Sequence, residues 1–129
     1  MPTDPNKVVD TLDLLKQALN ETDDKISQLT REIDQLREAG MVNASEWWKD
    51  DKYLYLVFPT DDNGKRVRQY VGSDESNVAI AQAKIKRYHQ WVTLRQQRET
   101  LREKKRHAVA NLDLALHYLK STQRRLWGE

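Results

Sequence analysis

Nine positions constrain this chain more than any others: Val8, Leu12, Leu15, Leu19, Thr22, Ile26, Leu29, Ile33 and Leu36 follow one another at spacings of four and three without a slip. Only a helix brings such positions onto one side, and a strict seven-residue repeat specifies a coiled-coil seam. Leu12, Leu19, Ile26 and Ile33 take one register of the seam, and Val8, Leu15, Leu29 and Leu36 the other. Thr22 is the polar interruption, either tolerated or setting register. Thr3 or Asp4 caps the free N–H groups, Pro5 stands where a missing donor costs nothing, and Gly40 ends the helix. The spacing therefore predicts a helix over 5–39.

A second helix is predicted over 74–126, with Ser73 or Ser76 as its cap and no Pro or Gly inside. Its apolar stripe has two parts. Val78, Ala81, Ile85, Tyr88 and Val92 form one seam with Trp91 beside it. Leu101, Ala108, Leu112, Ala115, Leu119 and Leu126 form another, one step out of phase. Between them, residues 94–107 carry six Lys and Arg and are polar nearly all round. This helix is longer than the first, so one end of it overhangs a simple pairing of the two.

Between the helices the period drops from seven to two. Residues 52–58 (KYLYLVF) alternate as a strand does, and Asn63-Gly64 is a strong signal for a two-residue type I′ turn. A β-hairpin over 52–72 follows, pairing Phe58 with Gln69, Val57 with Tyr70, Leu56 with Val71 and Pro59 with Arg68. Leu54, Leu56, Phe58, Val67 and Val71 make its apolar face. Tyr53, Tyr55, Val57, Tyr70, Arg66 and Arg68 make the other. Trp47 and Trp48, just upstream, staple the base of the hairpin to the helices or mark a partner site.

Charge is unevenly spread. Residues 1–40 hold nine acids and five bases, 41–75 seven and five, and 76–129 four acids against twelve bases, within a net charge of +2. Either the arms neutralise each other, with the basic stretch answering Glu32, Asp34 and Glu38, or the basic arm faces a polyanion. Under the second reading the phosphate contacts are Lys84, Lys86, Arg87, Arg95, Arg98, Arg102, Lys104, Lys105 and Arg106, extended by Arg124 and Arg125. Arg66, Arg68, Tyr53, Tyr55 and Tyr70 join them from the hairpin, since rings beside guanidinium groups suit base stacking and phosphate contact.

Composition narrows the rest. Charged residues are 33% of the 129 and hydrophobic ones 38%, so the apolar payload must lie along stripes. With no cysteine there is no disulfide and no thiolate metal site. His89, His107 and His117 are too far apart for a helix-borne metal pair, and the adjacent acids Asp23-Asp24, Asp50-Asp51 and Asp61-Asp62 point different ways. No nucleophile motif, phosphate-cradling loop, targeting peptide or membrane-length apolar run is visible. The expectation is a soluble, cytoplasmic, non-enzymatic single domain without cofactor or metal. Ile80, Leu94, Val109, Leu114 and Leu116 lie outside the seams, which favours a homodimer whose two helical hairpins form a four-helix bundle.

The order helix, hairpin, helix resembles that of the beta-type subunits of the prefoldin chaperone, whose coiled-coil arms leave a small β body. The stretch NGKRVRQYVG followed by a helix is similar to the small DNA-binding ribbons of phage and plasmid proteins. The expected fold class is thus mainly α: a long antiparallel helical hairpin with an inserted two-stranded β-hairpin. The expected function is non-catalytic binding of DNA or RNA. The rival is a coiled-coil adaptor or inhibitor, of the phage- or plasmid-regulator or chaperone-scaffold kind, that grips another protein through the hairpin.

Overall fold

The structure, a computed structural model, describes the backbone of residues 5–127 and the side chains of residues 6–121. The proposed caps Thr3 and Asp4 and the side chains of Arg124, Arg125 and Leu126 lie outside the described residues. The fold is mainly helical, in the order α1 (Pro5–Ala39), β1 (Ser45–Lys49), β2 (Tyr53–Val57), β3 (Arg68–Gly72) and α2 (Glu75–Trp127). Both helices run within a residue of the predicted bounds. The sheet does not match expectation: it has three antiparallel strands in the order β1-β2-β3, not two.

The chain divides into two compact units, residues 30–96 and residues 1–29 with 97–129. In the first, strand alternation does the sorting. Leu54 and Leu56 are buried while Tyr53, Tyr55 and Val57 between them are half-buried on the opposite face. Leu54, Leu56, Ala44 and Ala81 form the core, with Val42, Phe58, Val71, Val78 and Ile85 packed on it. Val78, Ala81 and Ile85 recur at helical spacing, so α2 lies against the inner face of the sheet through its first turns.

The missed strand is made by a turn that composition disguised. Asp50 and Asp51 take φ of 54° and 53°, and the Lys52 N–H donates to the Lys49 carbonyl at 3.1 Å. Two consecutive residues in the left-handed region make a type I′ turn, and aspartate tolerates that region better than most residues. SEWWK therefore folds back on KYLYLV, pairing Trp47 with Tyr55 and Trp48 with Leu54. Trp47 thus shares the outer face with Tyr55, and Trp48 the inner face with Leu54. Trp47 is 42% and Trp48 37% exposed on an edge strand.

The expected type I′ turn at Asn63-Gly64 is absent, because Asp61 imposes another. Its carboxylate accepts the N–H groups of Asn63 and Lys65 at 3.0 and 2.8 Å, and its carbonyl accepts that of Gly64 at 3.0 Å. Gly64, at φ 78°, then closes a three-residue loop of the type I-plus-bulge kind. Between the Asp61–Lys65 and Phe58–Val67 backbone bonds, β2's side holds one residue more than β3's, at Pro59-Thr60, where Pro59 has no N–H for the ladder. Val57 consequently faces Arg68, and Leu56 faces Gln69, two residues from the expected register. A slip of two preserves parity, so the two faces keep most of their predicted members. Val67 is the exception, 58% exposed beyond the end of the sheet.

Caps fix the helix ends of this unit. Gly40, at φ 92°, follows the last turn of α1 as predicted. Arg87 donates from Nε to the Gly40 carbonyl at 2.5 Å and from Nη2 to that of Ala39 at 3.3 Å, a cation against the negative end of α1. Asp74, rather than Ser73 or Ser76, caps α2, its carboxylate accepting the Ser76 N–H at 3.2 Å. Replacing Arg87 with Met keeps the stem and removes both bonds. We expect it to cost about 1–3 kcal/mol, read as a lower urea midpoint; an unchanged midpoint would show the cap to be idle.

In the second unit, Leu15, Leu19, Thr22 and Ile26 are half-buried and Leu29 is buried, keeping the four-three spacing, while Val8 and Leu12 are exposed. Thr22 donates its hydroxyl to the Ala18 carbonyl at 2.8 Å, so its polar atom is satisfied within its own helix and the seam tolerates it. On α2, Leu101, Lys105 and Ala108 are half-buried, and every residue from 109 to 121 is exposed, including the predicted seam residues Leu112, Ala115 and Leu119.

Candidate nucleic-acid interface

The outer face of the sheet is built by pairing. Because Trp47 stands opposite Tyr55 and Tyr55 opposite Tyr70, three rings line up across the three strands. Their centroids are 5.2 Å and 5.1 Å apart with interplanar angles of 55° and 59°, a tilted geometry that aromatic quadrupoles favour over flat sandwiches. Tyr55 is half-buried between its neighbours, while Tyr70 at one end is 58% exposed and Trp47 at the other 42%.

Cations flank the row. The Arg68 guanidinium lies 5.1 Å from the Trp47 ring centroid, and the Lys52 ammonium 5.4 Å from that of Tyr53. Lys49, opposite Tyr53, adds a third positive group. Cation–π contact preorganises Arg68 without consuming its charge. Gly72, at φ 106°, sits beneath this face: a Cβ there would stand 3.5 Å from the Tyr70 hydroxyl, and the conformation itself disfavours any other residue.

Within the sheet unit, the predicted phosphate-contacting residues do not share one face. Tyr53, Tyr55, Tyr70 and Arg68 share the outer sheet face, and Arg66 belongs to the stretch between β2 and β3. Lys84, Lys86, Arg87 and Arg95 lie on α2 in the same unit, but α2 packs behind the sheet. Arg87 is committed to the carbonyls that end α1, and Arg95 stacks 4.4 Å from the Trp91 centroid. Arg98, Arg102, Lys104, Lys105 and Arg106 belong to the other unit. There Lys105 pairs with Asp23 at 2.5 Å and Arg106 with Glu99 at 3.0 Å. The basic arm is thus answered in part from within, Lys105 by Asp23 on α1 and Arg106 by Glu99 on α2 itself.

Lys49 and Lys52 escaped the sequence reading, and Trp47 entered it as a staple or partner mark, not as one end of a ring row. Their signal was present as two alternating runs around Asp50-Asp51, hidden because adjacent acids do not read as a hairpin turn. Behind the sheet, a groove of about 1220 Å³ has Leu36, Ala44, Phe58, Ile85 and Leu94 among its apolar lining and Glu32, Glu46, Lys86 and His89 among its polar lining. Among the described residues, no three His, Asp or Glu lie close enough to hold a metal ion, and no helix is long and apolar enough to cross a membrane. No protein-family model matches the chain, and neither any curated protein nor any solved structure is significantly similar to it.

Proposed function

We propose that the chain is a non-catalytic nucleic-acid-binding protein that uses the outer face of its sheet, and that it works as a homodimer. The observation that carries the binding reading is the exposed Trp47–Tyr55–Tyr70 row with Arg68 against it. Rings can stack only on bases whose faces are free, so the ligand this face fits is single-stranded DNA or RNA, not duplex. Arg68, Arg66, Lys52 and Lys49 meet the phosphates. Four such contacts on a single strand correspond to a slope of log K against log salt of about −3.

Fluorescence anisotropy of labelled single- and double-stranded oligonucleotides, at about 50 and 200 mM salt, tests this. The expected result is tighter binding of the single strand, with that slope. Equal or tighter binding of duplex would overturn the stacking role. No binding of either at the lower salt would sink the reading and turn attention to a protein partner.

A further inference from the structure

The unit formed by residues 1–29 and 97–129 carries a second surface, independent of the sheet. On α2, Val109, Leu112 and Leu116 are 38%, 36% and 53% exposed and fall within about 60° of one another around the helix. Leu114, 67% exposed, points about 140–160° away from them. On α1, Val9 and Leu12, 56% and 54% exposed, lie on the same flank as Asp23, within about 60°. Asp23 and Val109 line one cleft of about 570 Å³ with Ile26, Ala110, Arg102 and Arg106. The apolar flanks of both helices therefore open on one side of the unit, continuous with that cleft.

Resting on the homodimer reading above, we infer that this side receives the same side of a second copy of the chain, with α1 of each copy against α2 of the other. The charges select this occupant. Residues 6–29 of α1 carry five acids and three bases, whereas residues 97–121 of α2 carry three acids and six bases. A polyanion would meet the acidic helix, and an acidic protein would be repelled by it. A two-fold related copy places each acidic segment on a basic one, and its apolar flank covers the matching flank.

Analytical ultracentrifugation of the full chain without nucleic acid reads this directly, separately from the oligonucleotide titrations. The wild type is expected at twice 15.2 kDa when loaded at about 20 µM. V109E/L116E is expected at the monomer mass with unchanged far-UV circular dichroism, since both side chains are solvent-accessible in the monomer and tolerate charge there. L114E, on the opposite side, is expected to remain dimeric. A wild type that stays at 15.2 kDa up to about 200 µM would overturn the inference. So would L114E dissociating the dimer as fully as V109E/L116E, which would place the interface on the other side.

Discussion

Replacing Trp47 and Tyr70 together with alanine is expected to weaken single-strand binding by at least about 30-fold, since each stacked base contributes roughly 1–3 kcal/mol. The two residues are the exposed ends of the ring row, at 42% and 58%, so their removal leaves the core of Leu54, Leu56, Ala44 and Ala81 untouched. Some stability goes with the lost ring–ring contacts, about 0.5–1.5 kcal/mol for each, and a urea titration run beside the binding measurement separates that from lost affinity. R66E/R68E should behave differently. Reversing two phosphate contacts lowers affinity and also flattens the salt slope by about 1.4, whereas the alanine pair lowers affinity at an unchanged slope. If the alanine pair binds as tightly as the wild type, the rings are only a structural ladder.

What the sequence made legible was periodicity. The four-three run of α1 and the first seam of α2 could be read directly, because a helical stripe is a property of spacing alone, and Leu15 to Leu36 keep that stripe in their burial. Turn chemistry was the weak point. Asn63-Gly64 carries a strong type I′ preference, but Asp61, two residues earlier, offers its carboxylate to two backbone N–H groups, and that local bond set the loop instead. Asp50-Asp51 has a weak preference for the same turn and adopts it, because the strands on either side bury Leu54 and stack Trp47 on Tyr55 when it does. A local side-chain bond outweighed turn propensity at the first place, and tertiary packing did so at the second. The chemistry of the site survived the misplaced turn because the register slip was even. A slip of one would have sent Tyr70 and Arg68 to the core face. The basic helix was harder to read for another reason: composition cannot say which acids answer which bases, and Asp23 and Glu99 answer Lys105 and Arg106.

Leu54→Ala should be the most damaging single substitution in the sheet unit, at about 2–5 kcal/mol, the usual range for a buried leucine truncated to alanine. Leu54 has no exposed surface and stands where all three strands meet, opposite Trp48 on one side and Gly72 on the other. Its neighbours Ala44 and Ala81 are small, so they cannot extend into the space it leaves, which places the cost toward the upper end. Two of the four buried core residues are already alanines, so little apolar burial remains to hold β2 against α2. β2 also carries Tyr53 and Tyr55 on its other face, and the same substitution should therefore loosen the ring row. The expected record is a lower urea midpoint accompanied by loss of near-UV circular dichroism. Val67→Ala is the matched control. Strand alternation assigns Val67 to the same face, yet it lies 58% exposed past the last ladder pair, and its loss should change stability by no more than about 0.5 kcal/mol. Equal effects from the two substitutions would mean that the inner face of the sheet is not the core that positions the rings.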